Sequence, residues 1–80
     1  MGLVQELAIM VDVLNKISGE KLETFRDQQM CKHYDAIYKE AKTAPERLKL
    51  EVNQRGEFCV SGAELLTKVK ALYSLLEETS

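Results

Sequence analysis

Between Leu48 and Leu76 the hydrophobic period changes from two to 3.6, and the change is marked by residues suited to a turn and then to a helix cap. Leu48-Lys49-Leu50-Glu51-Val52 alternates apolar and charged residues, the pattern of a half-buried strand; on a helix the same residues would scatter over both faces. Asn53-Gln54-Arg55-Gly56 supplies a turn, with Asn53 at its first position and Gly56 suited to the positive φ that closes a three-residue loop with a bulge. That loop sets Val52 opposite Phe58 and Leu50 opposite Val60, so the large apolar residues share one face. A four-residue loop would put Phe58 and Val60 on the other face and is rejected. Ser61-Gly62-Ala63-Glu64 then reads as a capping box, and the helix it opens sets Leu65, Leu66, Val69, Leu72, Tyr73 and Leu76 on one stripe. The predicted fold is α+β and mostly helical: two N-terminal helical segments, a β-hairpin over about 48–60 and a C-terminal amphipathic helix over about 62–77.

The first helical segment is more apolar than one neighbour can cover. Leu3, Leu7, Met10, Leu14 and Ile17 recur at spacings of four and three and form one seam, while Val4, Ala8, Ile9, Val11 and Val13 lie outside it. Exposed aliphatic surface of that extent is uncommon on a monomer, so a homodimer through this helix is expected, with Leu3, Leu7, Ile9, Met10, Val13, Leu14 and Ile17 as candidate interface residues. Ile9 and Val13 lie to the side of the seam, so one set faces the subunit's own core and the other a partner. Ser18-Gly19-Glu20 ends the helix, with Gly19 suited to the left-handed C′ position.

From Lys21 to Lys42 there is no Gly or Pro, which allows one long helix, yet Arg26-Asp27-Gln28-Gln29 interrupts the apolar rhythm and allows two shorter helices meeting near Gln28. Thr43-Ala44-Pro45 stops whichever forms.

Eighty residues build one core and hence one domain, 1–80. A net charge of −2 gives no global attraction to a phosphate backbone, and two cysteines are too few for an exported disulfide scaffold, so a cytoplasmic location is expected. The longest aliphatic run, Leu7 to Val11, is far short of a membrane span, and no membrane partner is expected.

Candidate chemistry is sparse. Cys31 and His33 stand two apart, about 200° around a helix axis, and cannot share one ion or one proton. Cys59 alternates with Phe58 and Val60 and faces away from them. No Gly-rich phosphate loop, metal-binding spacing or nucleophile elbow occurs, so neither an enzyme nor a cofactor is expected. Tyr34, Tyr38 and His33 beside Lys32, Lys39 and Lys42 read either as a basic aromatic face or, more simply, as an inward tyrosine beside a solvated face balanced by Asp35 and Glu40.

The order helix, helical segment, hairpin, helix, with Arg55-Gly56-Glu57-Phe58-Cys59-Val60-Ser61 running into a Leu-rich helix, resembles a winged-helix DNA-binding domain. That resemblance implies a regulator with the 48–60 hairpin as its wing, a carboxy-terminal dimerisation helix, Lys32, Asp35 and Lys39 reading the major groove, and Arg55 or Lys49 on phosphate. The preferred reading is a small non-enzymatic protein-binding module that is homodimeric and regulates or inhibits a larger protein partner; those five residues are equally its candidate contacts.

Overall fold

Residues 2–42 and 44–79 are described by the computed structural model. In chain order they form α1 (Leu3–Asn15), α2 (Gly19–Thr24), α3 (Gln28–Glu40), a 3₁₀ turn over Glu46–Leu48 and α4 (Gly62–Thr79). Helix α1 packs chiefly against α4, α2 against the start of α4, and α3 and the 3₁₀ turn complete the cover. A radius of gyration of 12.1 Å is that of a closely packed chain of this length.

The seam expected on α1 is its core face: Leu7, Met10 and Leu14 are buried, and Leu3 and Ile17 are partly buried against them. From α3 come Cys31, Tyr34 and Ile37, and from α4 Leu65, Val69 and Leu72, at spacings of three or four that keep one side of a helix inward. Among the described residues no charged side chain is buried.

Two boundaries differ from the sequence reading. Helix α1 stops at Asn15, and Gly19 opens α2 instead of closing α1 in the left-handed region; among the described residues Gly56 alone has a positive φ, 80°. The segment after Lys21 divides in two. Asp27 breaks it by capping α3, its Oδ1 accepting from the backbone N–H of Gln29 at 3.0 Å and Met30 at 3.2 Å, which satisfies donors that a continuous helix would have used internally. The stop at 43–45 falls partly on Thr43, outside the described residues.

The predicted hairpin does not form, and the fold class is all-helical rather than α+β. The described residues contain no strand; a single isolated bridge joins Val52 and Phe58, and Leu50 and Val60, though both buried, are not a bridged pair. The turn itself is as the sequence suggests. Gly56 N–H donates to the Asn53 carbonyl at 3.0 Å, and Asn53 Oδ1 accepts from the N–H of Arg55 and Glu57 at 2.8 and 3.0 Å. Two backbone bonds flank the bridge, Asn53 N–H to the Glu57 carbonyl at 2.9 Å and Cys59 N–H to the Glu51 carbonyl at 3.3 Å, and the ladder stops at Lys49, whose backbone groups have other partners. Lys49 N–H closes the 3₁₀ turn onto Glu46, and the Lys49 carbonyl accepts from Lys68 Nζ of α4 at 2.9 Å. Phe58 is held by the side chain of Gln28: its N–H donates to Oε1 and its carbonyl accepts from Nε2, both at 2.9 Å. In the Val52–Phe58 bridge these Phe58 groups point away from Val52, so the glutamine at the start of α3 satisfies the outer edge of the segment and does not compete for the ladder. Without a hairpin there is no wing, and the winged-helix resemblance is set aside.

Helix α4 begins where the sequence places it. Ser61 Oγ accepts from the Glu64 N–H at 3.2 Å, the forward half of the capping box. Gly62 does something the box alone does not show. Its N–H donates to the Phe25 carbonyl at 2.9 Å, and α2 lies so close that a Cβ at this position would come within 2.8 Å of Leu22 Cδ1 and 3.0 Å of the Leu22 carbonyl oxygen.

Candidate functional site

With its seam turned inward, α1 leaves Ile9 and Val13 outside at 50% and 41% exposure, two of three large hydrophobic side chains exposed among the described residues; Val52 is the third. They are four apart and so stand one above the other on a single line of the helix. Beside that line α3 closes a shallow groove of about 410 Å³, with Ile9, Met10, Val13 and Met30 as its apolar wall and Glu6, Asp27, Gln29 and His33 around it. His33 Nε2 lies 3.9 Å from Glu6 Oε1 and spans the two helices at the groove's edge, though both side chains reach solvent and such a contact contributes little to stability. Asp27, Gln29, Met30 and His33 are lining residues that the pattern of α1 could not reveal, since they arrive with α3, whereas Glu6 is on α1 itself. Methionine at the wall suits a surface that must adapt to an occupant.

A larger depression, about 510 Å³, lies between the 3₁₀ turn and α4 and is lined by Glu46, Arg47, Lys49, Leu50, Glu51, Val52 and Lys68. Its walls are mostly the stems of long charged side chains of both signs, and Leu50 is buried in the core. Size alone does not make it the better site.

The other candidate contacts are dispersed. Lys32 and Lys39 are exposed on α3, and Lys39 Nζ pairs with Asp35 at 3.1 Å, one turn apart on the same helix. Lys49 is exposed at the end of the 3₁₀ turn, and Arg55 is exposed in the turn closed by Asn53. Tyr34 does not belong to any surface. It is fully buried, its hydroxyl donates to the Leu48 carbonyl at 2.7 Å, and burial, followed by Tyr38 and Asp35, pushes its phenol well above the usual range. Tyr38 is partly buried against the core, so no aromatic face accompanies the lysines.

Cys31 is buried, and burial followed by Asp27 raises its thiol above the ordinary value, which leaves it a poor nucleophile. His33 is half exposed and Cys59 lies exposed near the Asn53 turn, its thiol donating to the Glu57 carbonyl at 3.6 Å. Among the described residues no group of three or more His, Cys, Asp or Glu side chains is placed to hold a metal ion. Among them, too, no helix is long and apolar enough to cross a membrane. Comparison with known proteins returns no match, whether to a family model, to a curated protein or to a solved structure.

Proposed function

We propose that this chain is a small non-enzymatic protein-binding module of the cytoplasm, which associates with a second copy of itself through α1 and in that form regulates or inhibits a larger protein partner. The observation that carries the reading is the exposed pair Ile9 and Val13 beside the groove. Apart from Val52, the other large aliphatic side chains among the described residues are buried or partly buried; here two at helical spacing are left in water. Two free cysteines with no disulfide fit a reducing compartment. A DNA reading loses its support with the wing, since the chain carries a net −2 charge and its exposed cations are scattered.

The expected dimer is weak. Covering the exposed parts of Ile9 and Val13 on two chains contributes roughly 3–6 kcal/mol, taking about half of the 1.5–3 kcal/mol for a fully buried aliphatic side chain. Association costs about 4 kcal/mol or more in lost freedom, so these side chains alone leave at most about 2 kcal/mol, and affinity in the millimolar range or weaker is expected.

Replacing Ile9 and Val13 together with Glu is expected to abolish self-association while leaving helical circular dichroism intact, because neither side chain is part of the core. Sedimentation equilibrium at several concentrations up to the millimolar range provides the measurement. Wild type should rise with concentration from 9.1 kDa towards twice that mass, and the double variant should stay at 9.1 kDa. A wild-type chain that remains at 9.1 kDa throughout overturns the reading.

A further inference from the structure

The outer line of α1 has one free flank, and its charges specify how a second copy sits. On a helical wheel the direction midway between Ile9 and Val13 has Lys16 about 40° and Asp12 about 80° to one side, while Glu6 lies about 40° to the other side, towards α3. On the free flank Asp12 and Lys16 form an ion pair at 3.2 Å with both side chains largely in solvent, 69% and 75% exposed. A minus and a plus one turn apart on a flank beside an apolar line form a self-complementary pattern.

Resting on the self-association reading above, we infer that the second copy lies antiparallel on α1, about a twofold axis passing beside Val13 and Leu14, so that Asp12 of each chain meets the partner's Lys16. A twofold axis perpendicular to two antiparallel helices brings the same flank of each together with its direction reversed. Centred at position 14, it sets 12 level with 16 twice over, and the four charges alternate in sign. The same axis places Val13 about 3 Å in height from its own copy, at 1.5 Å per residue. Centring between Ile9 and Val13 instead would bring the two Asp12 carboxylates together without a cation, and charge selects against that register. In a parallel pair the charged flank would meet the flank occupied by α3, and the two helix dipoles would be aligned unfavourably.

The test is a charge exchange read by sedimentation, with native mass spectrometry identifying the species. Asp12→Lys and Lys16→Asp should each weaken self-association by about tenfold or more, since each places four like charges along the seam. Both residues are exposed, so helical circular dichroism should be unchanged in each variant. A one-to-one mixture of the two variants should associate at least as tightly as wild type and yield the mixed dimer. If both variants self-associate like wild type, or if the mixture gives no mixed dimer, the pairing is wrong; the Ile9→Glu/Val13→Glu result then still decides separately whether α1 is an interface. A wild type monomeric at every concentration removes this pairing together with the reading beneath it.

Discussion

Tyr34→Ala should bring the chain close to unfolding at room temperature, whereas Tyr34→Phe should only weaken it. The ring is fully buried among residues of all the long helices, and truncating a buried aromatic residue to Ala costs about 3–5 kcal/mol. A chain of 80 residues holds only roughly 4–12 kcal/mol in total, so the larger loss approaches the whole of it. Phe keeps the ring but leaves the Leu48 carbonyl without its 2.7 Å donor in a buried place, a cost of about 1–3 kcal/mol. Denaturant titration followed by circular dichroism separates the two, and a Tyr34→Phe midpoint equal to wild type would show that the hydroxyl does not hold the 3₁₀ turn onto α3. The same phenol shapes the alkaline limit. The unfolded chain ionises it near the ordinary value of about 10, and the folded chain resists. Above that pH the unfolded state has released a proton that the folded state keeps, so stability falls as pH rises, and Tyr34→Phe should flatten part of that fall.

Gly62→Val should detach α2 from α4. The Cβ that any other residue carries would meet Leu22 Cδ1 at 2.8 Å and Phe25 Cδ2 at 2.9 Å, which are side-chain ends able to turn aside. It would also meet the Leu22 carbonyl oxygen at 3.0 Å, which moves only if α2 moves. Overpacking of this kind costs about 1–3 kcal/mol for Ala, and more for a β-branched residue that also disfavours the first helical turn. Gly19 is the control. Nothing lies within 4 Å of its Cβ position and it is helical, so Gly19→Ala should be neutral or slightly stabilising. Equal midpoints for Gly62→Ala and Gly19→Ala would contradict the close approach.

The contrast between these two glycines shows what local pattern can and cannot convey. Gly62 reads as part of a capping box, and Ser61 does cap α4, but the reason that only glycine fits lies in Leu22 and Phe25, nearly 40 positions away. Helical periodicity was informative because it is a property of one element: Leu7, Met10 and Leu14 went inside and Ile9 and Val13 stayed out, as their angles around the axis require. The alternation from Leu48 to Val52 was ambiguous for the opposite reason. Period two describes any extended chain with one side buried, and Leu48 and Leu50 are indeed buried, but whether such a chain becomes a strand depends on where its backbone hydrogen bonds go. For this segment they were decided at Lys49, whose N–H turns back to the Glu46 carbonyl and whose carbonyl accepts from Lys68 of α4, 19 positions away. Candidate surface residues followed the same division. Ile9 and Val13 were visible from α1 alone, while the wall contributed by Met30 and His33 needed the fold to bring α3 alongside.

An isotope-filtered nuclear Overhauser experiment on an equimolar mixture of labelled and unlabelled chains tests most directly whether α1 meets a copy of itself. At millimolar concentrations, the methyl groups of Ile9 and Val13 should give cross-peaks between labelled and unlabelled chains, and those of the buried Leu7 and Leu14 should not. Absence of every intermolecular cross-peak, with rotational diffusion that of a 9.1 kDa particle, would contradict the account.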